Sequence, residues 1–134
     1  AVTQLGPGCP GTAGVPALTA TPPRIGQSMT FSCTNLRPGQ FGMLILGFSN
    51  TLWASLPLPL DLTALGMAGC SAYCSVDITT AAINTNGAIA ASIALAPNQT
   101  ALGFTFYAQV LGQDPGFNAF GAVASNGLAL TVGN

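Results

Sequence analysis

Ser28-Met-Thr-Phe-Ser-Cys-Thr34 alternates without a break, with Met29, Phe31 and Cys33 on one side and Ser28, Thr30, Ser32 and Thr34 on the other. A period of two belongs to a strand with one face buried and one in solvent. The chain then turns at Arg37-Pro38-Gly39 and enters an apolar run over 42–48, as expected of a strand covered on both faces. Upstream, residues 16–21 alternate weakly until Pro22-Pro23 stops them.

The same period recurs toward the C-terminus. Cys74, Val76 and Ile78 alternate with Ser75, Asp77 and Thr79; Asn86-Gly87 then marks a two-residue hairpin turn joining strands 74–83 and 88–95. Ile89, Ala91, Ile93 and Leu95 share one face, as do Phe104, Phe106, Ala108 and Val110, and finally Leu128, Leu130 and Val132. Leu56-Pro-Leu-Pro-Leu-Asp-Leu62 reads as an edge strand or an extended segment laid over the core, because proline donates no ladder hydrogen bond. Residues 60–67 hold at most one short helical turn. The pattern predicts an all-β, antiparallel β-sandwich of seven to eight strands, Ig-like or jelly-roll in topology. Residues 9–134 form the single domain, and residues 1–8 are an N-terminal extension and candidate donor strand.

Composition narrows the function. Of 134 residues 49% are hydrophobic and 4% charged, and the charges are Arg24, Arg37, Asp61, Asp77 and Asp114 alone. Two cations exclude the basic face that nucleic-acid binding needs. Without lysine, glutamate or histidine a nucleophile has no neighbouring base, so the expectation is not an enzyme, with no catalytic residues and no cofactor. The aspartates lack the spacing of a calcium loop, and the cysteines lack histidine partners and paired zinc spacing, so no metal is expected. The longest apolar run, over 42–48, falls far short of the roughly 20 residues of a membrane-spanning helix. Four cysteines, Cys9, Cys33, Cys70 and Cys74, form an even set that favours an oxidising, extracellular home. A start at Ala1 fits a mature chain whose leader has been removed. Four cysteines permit three pairings.

Three stretches recur together in a known family: Gly6-Pro-Gly-Cys-Pro-Gly11; Leu60-Asp-Leu-Thr-Ala-Leu-Gly-Met-Ala-Gly-Cys70; and Tyr107-Ala-Gln, Asp114-Pro and Ser125-Asn-Gly-Leu-Ala-Leu-Thr-Val-Gly133. In these the chain, from about residue 6 to 133, resembles a Gly/Pro/Leu-rich extracellular domain abundant in secreted proteins of planctomycetes and myxobacteria. The resemblance implies a bacterial, exported, sandwich-like domain without catalytic residues. It also implies the pairing Cys9–Cys70 and Cys33–Cys74, since family members usually keep cysteines matching Cys9 and Cys70, to which Cys33 and Cys74 are additions.

The leading expectation is a structural subunit of an extracellular filament or surface layer, its partners being copies of itself. A net charge of −1 leaves little to repel like copies. Val2 and Leu5, in the β-compatible segment Ala1-Val-Thr-Gln-Leu5, and Phe117 and Phe120, in a glycine-rich loop, are the candidate interface residues. The alternative is a secreted carbohydrate-binding or adhesin module, with Trp53 stacking on a sugar if exposed; a buried Trp53 instead caps the core. Asn98-Gln99-Thr100 is the one sequon, making Asn98 the candidate glycan attachment point.

Overall fold

The computed structural model describes residues 1–134. In chain order the strands are β1 (Val2–Gly6), β2 (Ala17–Ala20), β3 (Ser28–Thr34), β4 (Gly42–Gly47), β5 (Leu52–Trp53), β6 (Leu56–Pro57), β7 (Leu60–Asp61), β8 (Ser71–Ala72), β9 (Ile78–Ala82), β10 (Ile89–Ala94), β11 (Thr105–Gln113), β12 (Ala122–Ala124) and β13 (Gly127–Thr131). Two single-turn 3-10 helices, Thr63–Leu65 and Gln99–Ala101, interrupt them, and there is no α-helix. The fold is all-β and antiparallel. A large sheet runs β1-β13-β11-β4-β9, with β12 also on β11, and a small sheet runs β10-β3-β2.

The two sheets close on the residues whose alternation marked the strands. Met29, Phe31 and Cys33 of β3 and Ile89 of β10 face Leu44 and Leu46 of β4, Phe106, Ala108 and Val110 of β11, and Leu128 and Leu130 of β13. Each such large apolar side chain contributes roughly 1.5–3 kcal/mol on burial.

The large sheet is covered on its other face too. The excursion between β4 and β9, residues 48–77, folds back over the outward side chains of β4 and β11. It is stapled there by a second core of Leu62, Met67, Ala122, Val123 and Ala124 around the Cys9–Cys70 disulfide. This is why the run 42–48 is apolar on both faces. The approach is so close that glycine is required beneath Tyr73. Gly6 and Gly127 pair across β1 and β13, and a Cβ on Gly127 would lie 2.6 Å from the Tyr73 Cβ. The ring crosses this pair and donates its hydroxyl to Pro7 O at 2.6 Å.

Three expectations are corrected. Asn86-Gly87 does form a tight turn, with both residues at positive φ and Thr85 and Ala88 exchanging hydrogen bonds of 2.8 and 3.1 Å. The strands it joins, however, enter different sheets: β9 lies in the large one and β10 in the small one. The chain is diverted at Asn84, whose side chain donates to Arg37 O and accepts from Gly87 N, both at 2.8 Å. Second, Cys33 and Cys74 are not bridged; both are buried free thiols. They lie on opposite faces of the large sheet. Cys33 is in the sandwich core, whereas Tyr73 and Ser75, flanking Cys74, sit on the outer face against Gln109 and Gly47. Burial pushes both thiols up to about 12, with Asp77 adding to the rise at Cys74, so neither is a ready nucleophile. Third, residues 1–8 do not leave the domain. β1 lies along β13 of its own chain, Ala1 and Thr131 exchange two backbone bonds of 3.0 Å, and Val2 packs on the core. The Leu128/Leu130 edge offers β1 a local partner, so the extension closes on its own sheet.

Candidate assembly surface

The large sheet ends in β1 on one side and β9 on the other. Natural edge strands are usually blunted by charge, proline, bulges or a covering segment. β9 is Ile-Thr-Thr-Ala-Ala and has none of these. It pairs with β4 without a register shift, and its five residues make no backbone hydrogen bond beyond that ladder. β1 is likewise uncharged but bulges between Gln4 and Gly6. One edge of the small sheet, β2, shows what a protected edge looks like, while its other edge, β10, is as open as β9. At β2 the Asn126 side chain accepts from Leu18 N at 2.6 Å and donates to Leu18 O at 3.0 Å, satisfying the strand as a neighbour would.

Beside β9 the outer face is apolar and open. Ile83, directly after the strand, is 86% exposed, and Phe41, before β4, is 72% exposed. Phe41 and Ile83 flank a shallow depression. Phe41 also flanks the next one, with Met43, Leu111 and Phe120. Those last three residues lead on into a crevice of about 240 Å³ lined by Trp53, Leu65, Met67 and Val76. No charged side chain lines any of the three.

The residues singled out in the sequence fall as follows. Phe117 and Phe120 are about half exposed, and Phe120 lies in the groove just described. Val2 and Leu5 are half-buried in β1. Trp53 is half-buried and lines the apolar crevice. Asn98 is exposed; its Oδ1 accepts from Thr100 N and Oγ1, while its Nδ2 makes no hydrogen bond within the chain. Phe41, Ile83 and the β9 edge were missed by pattern reading. The available signal was the uncharged Ile78-Thr-Thr-Ala-Ala-Ile83 run with no proline.

The three carboxylates do not meet. Asp61 accepts from Thr63 Oγ1 and N, which hold its carboxyl below the usual range. Asp77 is lowered by bonds from Ser75 Oγ and Phe48 N. Asp114 is buried, which pushes its carboxyl up. Bonds from Thr12 N and Oγ1 and from Arg37 outweigh that and hold it low. No three His, Cys, Asp or Glu residues cluster as metal ligands. No helix is long and apolar enough to cross a membrane. No protein-family model, curated protein or solved structure matches the chain.

Proposed function

We propose that this protein is a non-enzymatic structural subunit of an extracellular assembly of identical copies, joined through sheet edges and apolar loop contacts. The reading includes secretion, as the resemblance to exported bacterial sandwich domains implies. One observation carries it: the large sheet ends in an uncharged, unbulged strand whose outward-facing backbone groups are unused, next to apolar depressions. Backbone pairing at such an edge supplies adhesion, and pockets alongside it take alternate side chains. The near absence of charge removes the repulsion that keeps most domains apart. Phe117 and Phe120 form the loop contact in this reading. The disulfide is consistent with an oxidising compartment.

Electron microscopy of the purified chain tests the proposal. Ordered fibres or sheets are expected from the natural sequence. An Ala81→Lys variant, which places a charge on the open edge, is expected to remain as single particles. Single particles from both proteins at high concentration and in high salt overturn the reading.

A further inference from the structure

Resting on the assembly reading, we infer which edges meet: β9 pairs with β9 of a second copy, antiparallel, about a two-fold axis centred on Thr80. The register states which backbone groups are free. Gln113 N donates to Phe41 O at 2.8 Å, so in β4 the groups of the odd-numbered residues face β11. Those of Gly42, Leu44 and Leu46 then face β9, opposite Ala82, Thr80 and Ile78. The N–H and C=O of Thr79 and Ala81 therefore point away from the sheet. They are the groups a new strand must meet.

A second β9 meets them without adjustment. With Thr80 opposite Thr80, Thr79 of each copy faces Ala81 of the other, and each pair exchanges both of its N–H···O bonds. This register overlaps the whole strand, whereas a shift of two residues either way leaves part of it unpaired. Ile78 then lies across from Ala82 and the threonines face each other, cross-strand pairs that favour a sheet. The nearest charge, Asp77, falls opposite Ile83 rather than opposite its own copy, so like charges do not meet.

Pairing β9 with β1 is less favourable. Every step across β1-β13-β11-β4-β9 is antiparallel, so the two outer strands run in the same direction. A sheet extended by simple repetition would join them in parallel, which is weaker per residue, and at a bulged strand. A two-fold contact closes at the dimer, so growth into a fibre requires the separate loop contact as well.

The test is a Thr80→Cys variant of the full chain under mild oxidation. Opposed Cα atoms in a non-hydrogen-bonded pair lie about 4.5 Å apart, within disulfide reach. Thr80 is exposed, and the natural thiols Cys33 and Cys74 are buried and do not compete. A covalent dimer is expected on a non-reducing gel, with little from Thr79→Cys, whose counterpart is displaced along the strand. Sedimentation of the natural chain should give a dimer that Ala81→Lys abolishes. Fibres without the Thr80→Cys crosslink overturn the β9 pairing and leave the assembly reading standing. Crosslinked dimers that never form fibres uphold the pairing and remove the filament. A monomer throughout overturns both.

Discussion

Arg37 and Asp114, 77 positions apart, form the protein's one ion pair, with Arg37 Nη1 3.4 Å from Asp114 Oδ1. The pair is the visible part of a larger knot. Thr12 N and Oγ1 donate to the same carboxylate at 2.8 and 2.7 Å, and Arg37 also donates to Pro115 O at 2.7 Å. The N-terminal loop, the turn after β3 and the loop after β11 are thereby held by a single buried acid.

Truncating that acid should be worse than truncating its cation. Asp114→Ala leaves the Thr12 donors and Arg37 without their acceptor at a buried site, for a loss of about 2–3 kcal/mol. Arg37→Ala should cost about 1 kcal/mol, because the guanidinium is partly exposed and screened. Denaturant midpoints of the two variants check the order; equal losses would mean that the carboxylate is not the centre of the knot.

The same group sets an acid limit. Its folded-state pKa lies below the ordinary 3.8, so its contribution is fully present above that value. It is lost as the pH falls below 3.8 through the folded-state value. Stability measured from pH 6 downward should therefore begin to fall near about pH 4. An Asp114→Asn variant should show a shallower acid slope over that window.

Reducing Cys9–Cys70 should cost about 4 kcal/mol, the chain-entropy value for a loop closed over a separation of 61 residues. A thiol reagent should find no reactive group in the native protein and two in the denatured, unreduced one. Peptide mapping should recover Cys9–Cys70 alone; a Cys33–Cys74 crosslink would contradict the placement of these residues on opposite faces of the sheet.

Gln109 should tolerate no apolar replacement despite its apolar neighbours. It is buried on the outer face, where its Oε1 accepts from Tyr73 N at 3.0 Å. Its Nε2 donates to Ser71 O at 2.7 Å and Ser125 O at 2.9 Å. Gln109→Leu strands those backbone groups and should lose about 2–4 kcal/mol in a melting or denaturant experiment. A neutral result would show that the excursion is held by apolar contact alone.

Gly127→Ala should be destabilising by about 1–3 kcal/mol, since the added methyl meets the Tyr73 Cβ at 2.6 Å. Gly116→Ala meets no neighbouring atom, and its cost should come only from the positive φ of 81°. The difference in melting temperature between the two separates crowding from backbone strain.

Alternation by itself marked β3, β11 and β13 and most of their inward faces, but not the stretch before β9, where residues 74–77 form no strand and Ile78 is exposed. Met29, Phe31 and Cys33 point to the core because a period of two leaves a strand no other way to bury them. The tight turn at Asn86-Gly87 was equally local, since both positive φ values belong to two adjacent residues. What local pattern does not carry is the choice of neighbour. Whether the strands beside that turn pair with each other depends on where Asn84 and Arg37 anchor the chain, and those residues are 47 positions apart. Cys33 and Cys74 look alike in sequence, yet a sheet lies between them, and only the three-layer packing separates the two thiols. The open edge was likewise decided by the tertiary structure. The edge strands β1, β2, β9 and β10 are all short and uncharged. Which of them keep a free, regular backbone follows from the Asn126 cap on β2 and the bulge in β1, neither of which is present at β9 or β10. Side-chain periodicity is written along the chain, but hydrogen-bond partnership is a property of residues that meet only after the chain has folded.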